Sequence, residues 1–65
     1  MKIVLLGAGN VATHLGLRLI QTGVELLQVY SRTASSATEL GKLLGVPYCS
    51  DLKQLDKTAD IYIYT

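Results

Sequence analysis

Met1-Lys2-Ile3-Val4-Leu5-Leu6-Gly7-Ala8-Gly9-Asn10-Val11-Ala12-Thr13-His14-Leu15-Gly16 opens the chain, and the turn in its middle decides the fold. Residues 3–6 form an unbroken apolar run, β-branched at its start, as in a strand buried on both faces of a parallel sheet. The run stops at Gly-x-Gly. A helical pattern then begins at once, with Val11, Leu15 and Leu19 at helical spacing and Ala12 and Gly16 beside them. A strand passing into a helix through such a turn is the first half of a βαβ unit.

Outward from this turn, the first helix spans residues 10–22, with Gly23 placed to end it. Residues 25–30 make the second strand, and Ser31-Arg32-Thr33 follows as a polar turn. A second helix starts at Ala34 or Ser36 and ends at Leu44. Ser36-x-x-Glu39 has the spacing of a capping box, and Gly45 and Pro47 stop the helix. Gly41 inside it costs about 1 kcal/mol relative to Ala. Residues 48–50 form a short edge strand. Ser50 then caps a short helix over residues 51–56, and residues 61–65 form the last strand, with Ile61 and Ile63 on one face and Tyr62 and Tyr64 on the other. The order β-α-β-α-β-α-β predicts an α/β fold with parallel strands in the order 3-2-1-4, right-handed crossovers and helices on both faces. The sequence stops on a strand, which leads us to expect the N-terminal portion (residues 1–65) of a longer dinucleotide-binding domain.

Composition narrows the function. With 65 residues, the chain makes one small domain at most and buries only ~60% of its unfolded surface. Hydrophobic residues make up 49%, which is globular and not disordered composition. A net charge of +1 gives no electrostatic basis for binding nucleic acid or an anionic membrane. Cys49 stands alone, so no disulfide framework exists, and no secretory signal follows Lys2; both point to the cytoplasm. No stretch approaches the ~20 apolar residues of a membrane span.

The turn carries the chemistry. Gly7 permits the tight strand-to-helix bend. Gly9 lets a pyrophosphate approach the backbone, and Ala12 lets the helix cross the strand closely. The free N–H groups of residues 9–12 and the positive end of the helix dipole face the anion, with Asn10 in reach of the phosphates or of a capping position. No Gly-Lys-Ser/Thr follows, so this is not a Walker loop. The end of the second strand selects the nucleotide. An NAD site places an acid there for the ribose 2′-hydroxyl, whereas this chain has Tyr30-Ser31-Arg32-Thr33. Arg32 suits a 2′-phosphate, and Ser31 and Thr33 add hydroxyl donors. NADP is therefore expected, with NAD the alternative. FAD and S-adenosylmethionine are weaker candidates.

MKIVLLGAGNVATHLG, LLQVYSRT and ADIYIYT together resemble the N-terminal domain of the pyrroline-5-carboxylate reductase and F420-dependent NADP reductase superfamily, with the nearest likeness to bacterial Rossmann-like and DUF2520 oxidoreductase-type proteins. The likeness spans essentially the whole chain. GAGN-[MV]-A specifies the domain rather than a substrate. The resemblance implies a Rossmann-type fold and NADP(H) binding by Gly7, Gly9, Asn10, Val11, Ser31, Arg32 and Thr33, and Ala8 and Ala12 complete the turn expected to bind the cofactor. It also implies a helical C-terminal domain, outside this sequence, that supplies a small-substrate site and homodimerisation. Where such proteins end the last strand on an apolar or small residue followed by Val, this chain has Tyr64-Thr65.

Two function classes follow: the NADP(H)-binding portion of an oxidoreductase that transfers hydride to or from a small substrate, or a nucleotide-sensing regulatory module without catalysis. No residue of the chain is assigned a catalytic role. His14 is a helix position with no carboxylate or cysteine spaced to orient it. Cys49 reads as an inert buried thiol. Asp51, Asp56 and Asp60 read as solvated surface and not as metal ligands, and Tyr62 and Tyr64 as sheet-packing residues.

Overall fold

A computed structural model describes residues 1–7 and 9–65. Strands β1 (Lys2–Leu6), β2 (Glu25–Tyr30), β3 (Tyr48–Cys49) and β4 (Ile61–Tyr64) alternate with helices α1 (Gly9–Gln21) and α2 (Ala34–Leu44). The sheet is parallel throughout, in the order β3-β2-β1-β4. This is the expected Rossmann-like order, and it gathers the C-terminal ends of β1, β2 and β4 at one edge.

The two faces of the sheet are covered differently. On one face, Ile3, Leu5, Leu26 and Val29 pack with Ala12 of α1 and with Leu40 and Leu44 of α2, joined by Leu15, Leu19 and Ile63. Gly16 brings α1 in close here, since a Cβ at that position would lie 2.5 Å from Leu44 Cδ1. On the other face the residues 50–60 cross from β3 to β4. The expected helix over residues 51–56 is instead a single 3-10 turn, Leu52–Gln54. Its cap is Asp51 rather than Ser50: Asp51 is extended, and its Oδ1 accepts a 2.9 Å bond from the Lys53 N–H. Helices therefore do not cover both faces among the described residues. The crossover is held by side chains from the sheet. Gln28 Nε2 donates to the Gln54 carbonyl (3.1 Å), Gln28 Oε1 accepts from the Asp56 N–H (2.8 Å), and Tyr62 Oη donates to the Asp56 carbonyl (2.6 Å).

Gln28 lies on that face because of a β-bulge. Ile3 pairs with Leu26 but Val4 pairs with Gln28, so Leu27 is an extra residue in β2. The helix ends follow from local chemistry. Gly23 and Gly45 adopt positive φ after α1 and α2. The N-cap of α2 is Thr33, whose hydroxyl accepts the Ser36 N–H at 3.4 Å. The Ser36-x-x-Glu39 box therefore does not form, because the helix has already begun at Ala34. Among the described residues no helix is long and apolar enough to cross a membrane.

Candidate cofactor-binding site

Three strands end together and make a cleft. The Gly7 N–H donates to the Tyr30 carbonyl at 2.8 Å, and the Thr65 N–H donates to the Leu6 carbonyl at 2.9 Å. These bonds align the exits of β1, β2 and β4. The Ser31 N–H donates to the Cys49 carbonyl at 3.1 Å, which fixes the turn after β2 against β3. The resulting cleft, about 460 Å³, is lined by Leu6, Gly7, Tyr30, Ser31, Arg32, Thr33, Ser36, Tyr64 and Thr65, and is of the size that takes small molecules.

Its charge is one-sided. Among the described residues, Arg32 is the one charged side chain lining it, and no Asp or Glu side chain does. Neither α1 nor α2 carries an acid in its first turn, so the positive ends of both helix dipoles are uncompensated. A second hollow of about 270 Å³ lies between the helices and is lined by Gly9, Asn10, Thr13, Ser36, Glu39, Leu40 and Leu43.

Gly9 has φ +81°, and a Cβ there would meet nothing within 4 Å. The backbone conformation requires glycine, and the space above it is open to an approaching phosphate. An uncompensated helix N-terminus, an open glycine and a lone guanidinium between hydroxyls suit a phosphorylated nucleotide.

Of the residues expected from the sequence, Gly7, Ser31, Arg32 and Thr33 meet in the cleft. Gly9 and Asn10 stand at the start of α1, and Val11 is exposed there. Ala12 is fully buried in the core, so its part is the close crossing of α1 over β1. Ala8 lies outside the described residues. Five lining residues were not anticipated as contacts: Leu6, Tyr30, Ser36, Tyr64 and Thr65. The pairing of Leu6 with both Tyr30 and Tyr64 brings two of them in, and it depends on the strand register, which the expected strand order does not carry.

The other candidates are placed elsewhere. His14 lies on the exposed side of α1 and does not line the cleft. Cys49 is buried, and burial pushes its thiol above the usual value, which opposes a nucleophilic role. Asp51 caps the 3-10 turn, Asp56 accepts bonds from Thr58, and Asp60 Oδ2 accepts the Lys2 N–H at 2.8 Å. Among the described residues no three potential ligands converge to hold a metal.

Comparison with known proteins agrees with this geometry. The family model described as NADP oxidoreductase, coenzyme F420-dependent, matches residues 2–65. No curated relative matches the chain. Among solved structures, one from Bacteroides fragilis, described as a putative NADP oxidoreductase, is 44% identical with a TM-score of 0.92. The match covers 98% of this chain and 25% of that one, so the chain spans about a quarter of its structural relative.

Proposed function

The chain belongs to the NADP oxidoreductase, coenzyme F420-dependent, family, and from that premise we propose that residues 1–65 are the NADP(H)-holding portion of an oxidoreductase. The nicotinamide, when bound, supplies or accepts hydride. The chain's own residues bind and orient. N–H groups of residues 9–12 face the pyrophosphate, with Gly7 making the turn and Asn10 beside the phosphates. Arg32 pairs with the 2′-phosphate, and Ser31 and Thr33 donate hydroxyl bonds to it. The substrate site, and dimerisation, belong to the remainder of a longer protein, in keeping with the quarter-length match to the structural relative.

One observation carries the choice of NADP: Arg32 stands in a cleft that no Asp or Glu side chain lines among the described residues. A 2′-phosphate gains a charge-assisted pair there, and a 2′-hydroxyl finds no acid to accept from it. Titrating nicotinamide fluorescence of the full-length protein tests this. NADPH binds more tightly than NADH, and Arg32→Ala weakens NADPH about 10- to 100-fold while NADH is nearly unchanged. Equal affinity of the unaltered protein for the two cofactors would refute the reading.

A further inference from the structure

Val4 alternates with the core residues Ile3 and Leu5 and so faces away from the helices, yet it is fully buried. Its neighbours across the sheet are Gln28 of β2 and Tyr62 of β4. Both of their side chains reach the same residue of the crossover. Gln28 Oε1 accepts the Asp56 N–H at 2.8 Å, and Tyr62 Oη donates to the Asp56 carbonyl at 2.6 Å. A residue has one backbone donor and one backbone acceptor. Asp56 thus has both taken by side chains, from two strands that β1 keeps apart. Together they make an arch over Val4.

The crossover is pinned at its ends by backbone bonds. The Ser31 N–H donates to the Cys49 carbonyl at 3.1 Å, and the Asp60 N–H donates to the Lys2 carbonyl at 2.8 Å. Between these pins, among the described residues, residues 50–59 are tied to the sheet by the hydrogen bonds of Gln28 and Tyr62 alone. The N–H groups of Lys53, Gln54, Leu55 and Thr58 bond within the segment. The strands are instead joined by backbone ladders. Releasing a few side-chain bonds takes less than releasing a ladder, and segments held in that way open first.

We propose that Gln28 and Tyr62 form a latch over Val4, and that residues 50–59 open from the sheet as a unit while the strands stay paired. Both sides of the latch close on Asp56, so losing one side loosens the other. None of residues 50–59 lines the cofactor cleft, so the opening leaves that lining in place.

Amide hydrogen exchange of the full-length protein in low urea tests this. In the unaltered protein the Asp56 N–H is expected to exchange at least tenfold faster, relative to its intrinsic rate, than the amides of β1. Its rate also rises less steeply with urea, because a local opening exposes less surface than unfolding does. Tyr62→Phe keeps the ring and leaves the Gln28 bond to the Asp56 N–H untouched. It nevertheless speeds Asp56 exchange about tenfold with the urea dependence still shallow, the loss that one net hydrogen bond brings. Two results overturn the proposal. One is an Asp56 N–H that shares the protection and urea slope of β1, since the crossover then opens only with the sheet. The other is unchanged Asp56 exchange in Tyr62→Phe, since the two bonds then act separately. The unaltered protein alone decides the first of these.

Discussion

A Cβ on Gly7 would run into the Thr65 hydroxyl, and the backbone there holds φ at +153°. Two constraints thus act on one position, where sequence reasoning recognised only the turn. Gly9 differs: its φ is positive but its surroundings are open, so conformation alone requires glycine. Gly7→Ala is expected to lower stability by about 1–3 kcal/mol, read from urea midpoints. Thr65→Ala in the same background restores part of this, because it removes the hydroxyl and leaves the Thr65 Cβ and carbonyl oxygen at 3.2 and 3.3 Å. No recovery at all would mean that backbone strain is the whole cost. At the same scale, Asp56 Oδ1 accepts the Thr58 hydroxyl (2.6 Å) and N–H (2.7 Å), which holds its carboxyl below the usual value of 3.8. The native state then binds this proton less readily than the unfolded chain. The stabilisation is complete above the ordinary carboxylate range and is lost as pH falls through the lowered native value. Asp56→Asn should flatten that part of the acid limb in urea melts taken between about pH 5 and pH 2; parallel limbs in the two proteins would exclude the effect.

At the scale of elements, helix propensity and packing disagree at Gly41. Propensity alone favours Ala there by about 1 kcal/mol. The structure reverses the sign: a Cβ would lie 2.6 Å from Tyr48 Cβ and 2.7 Å from its Cγ, atoms too close to the backbone to swing aside. Gly41→Ala is therefore expected to lower the melting temperature, and a rise would show that β3 yields easily. The long elements were legible because their signals are local: apolar runs for β1 and β2, a 3.6-residue period for α1, and Gly45 with Pro47 closing α2. The caps were harder. Thr33 and Ser36 both suit an N-cap, and the choice depends on where the chain leaves β2. The helix anticipated over residues 51–56 failed for a related reason: Asp56 must present its N–H and carbonyl to Gln28 and Tyr62, which an extended chain does and a continuing helix does not. In the site, the glycines, Ser31, Arg32 and Thr33 were readable as contiguous motifs, but Tyr64 and Thr65 join them only through strand pairing.

For the molecule as a whole, the two faces divide the labour. One carries the apolar core beneath two helices, and the other is crossed by a segment fastened through Gln28 and Tyr62. The cleft opens where the strands end together, so its cationic part comes from the turn after β2 and its phosphate-facing turn from β1. The bulge at Leu27 governs this arrangement as a matter of parity. Side chains along a strand alternate between two sides, and a bulge that takes up one surplus residue keeps everything after it in phase with the neighbouring strand. With Leu27 in place, Leu26 and Val29 both enter the core, Gln28 reaches the crossover, and Tyr30 opens into the cleft opposite Tyr64. Paired regularly from Leu26 onward, with Leu27 opposite Val4, the same sequence would present Gln28 to the helices, turn Val29 outward and draw Tyr30 out of the cleft. One uncounted position in β2 thus keeps core, crossover and cleft in phase with one another.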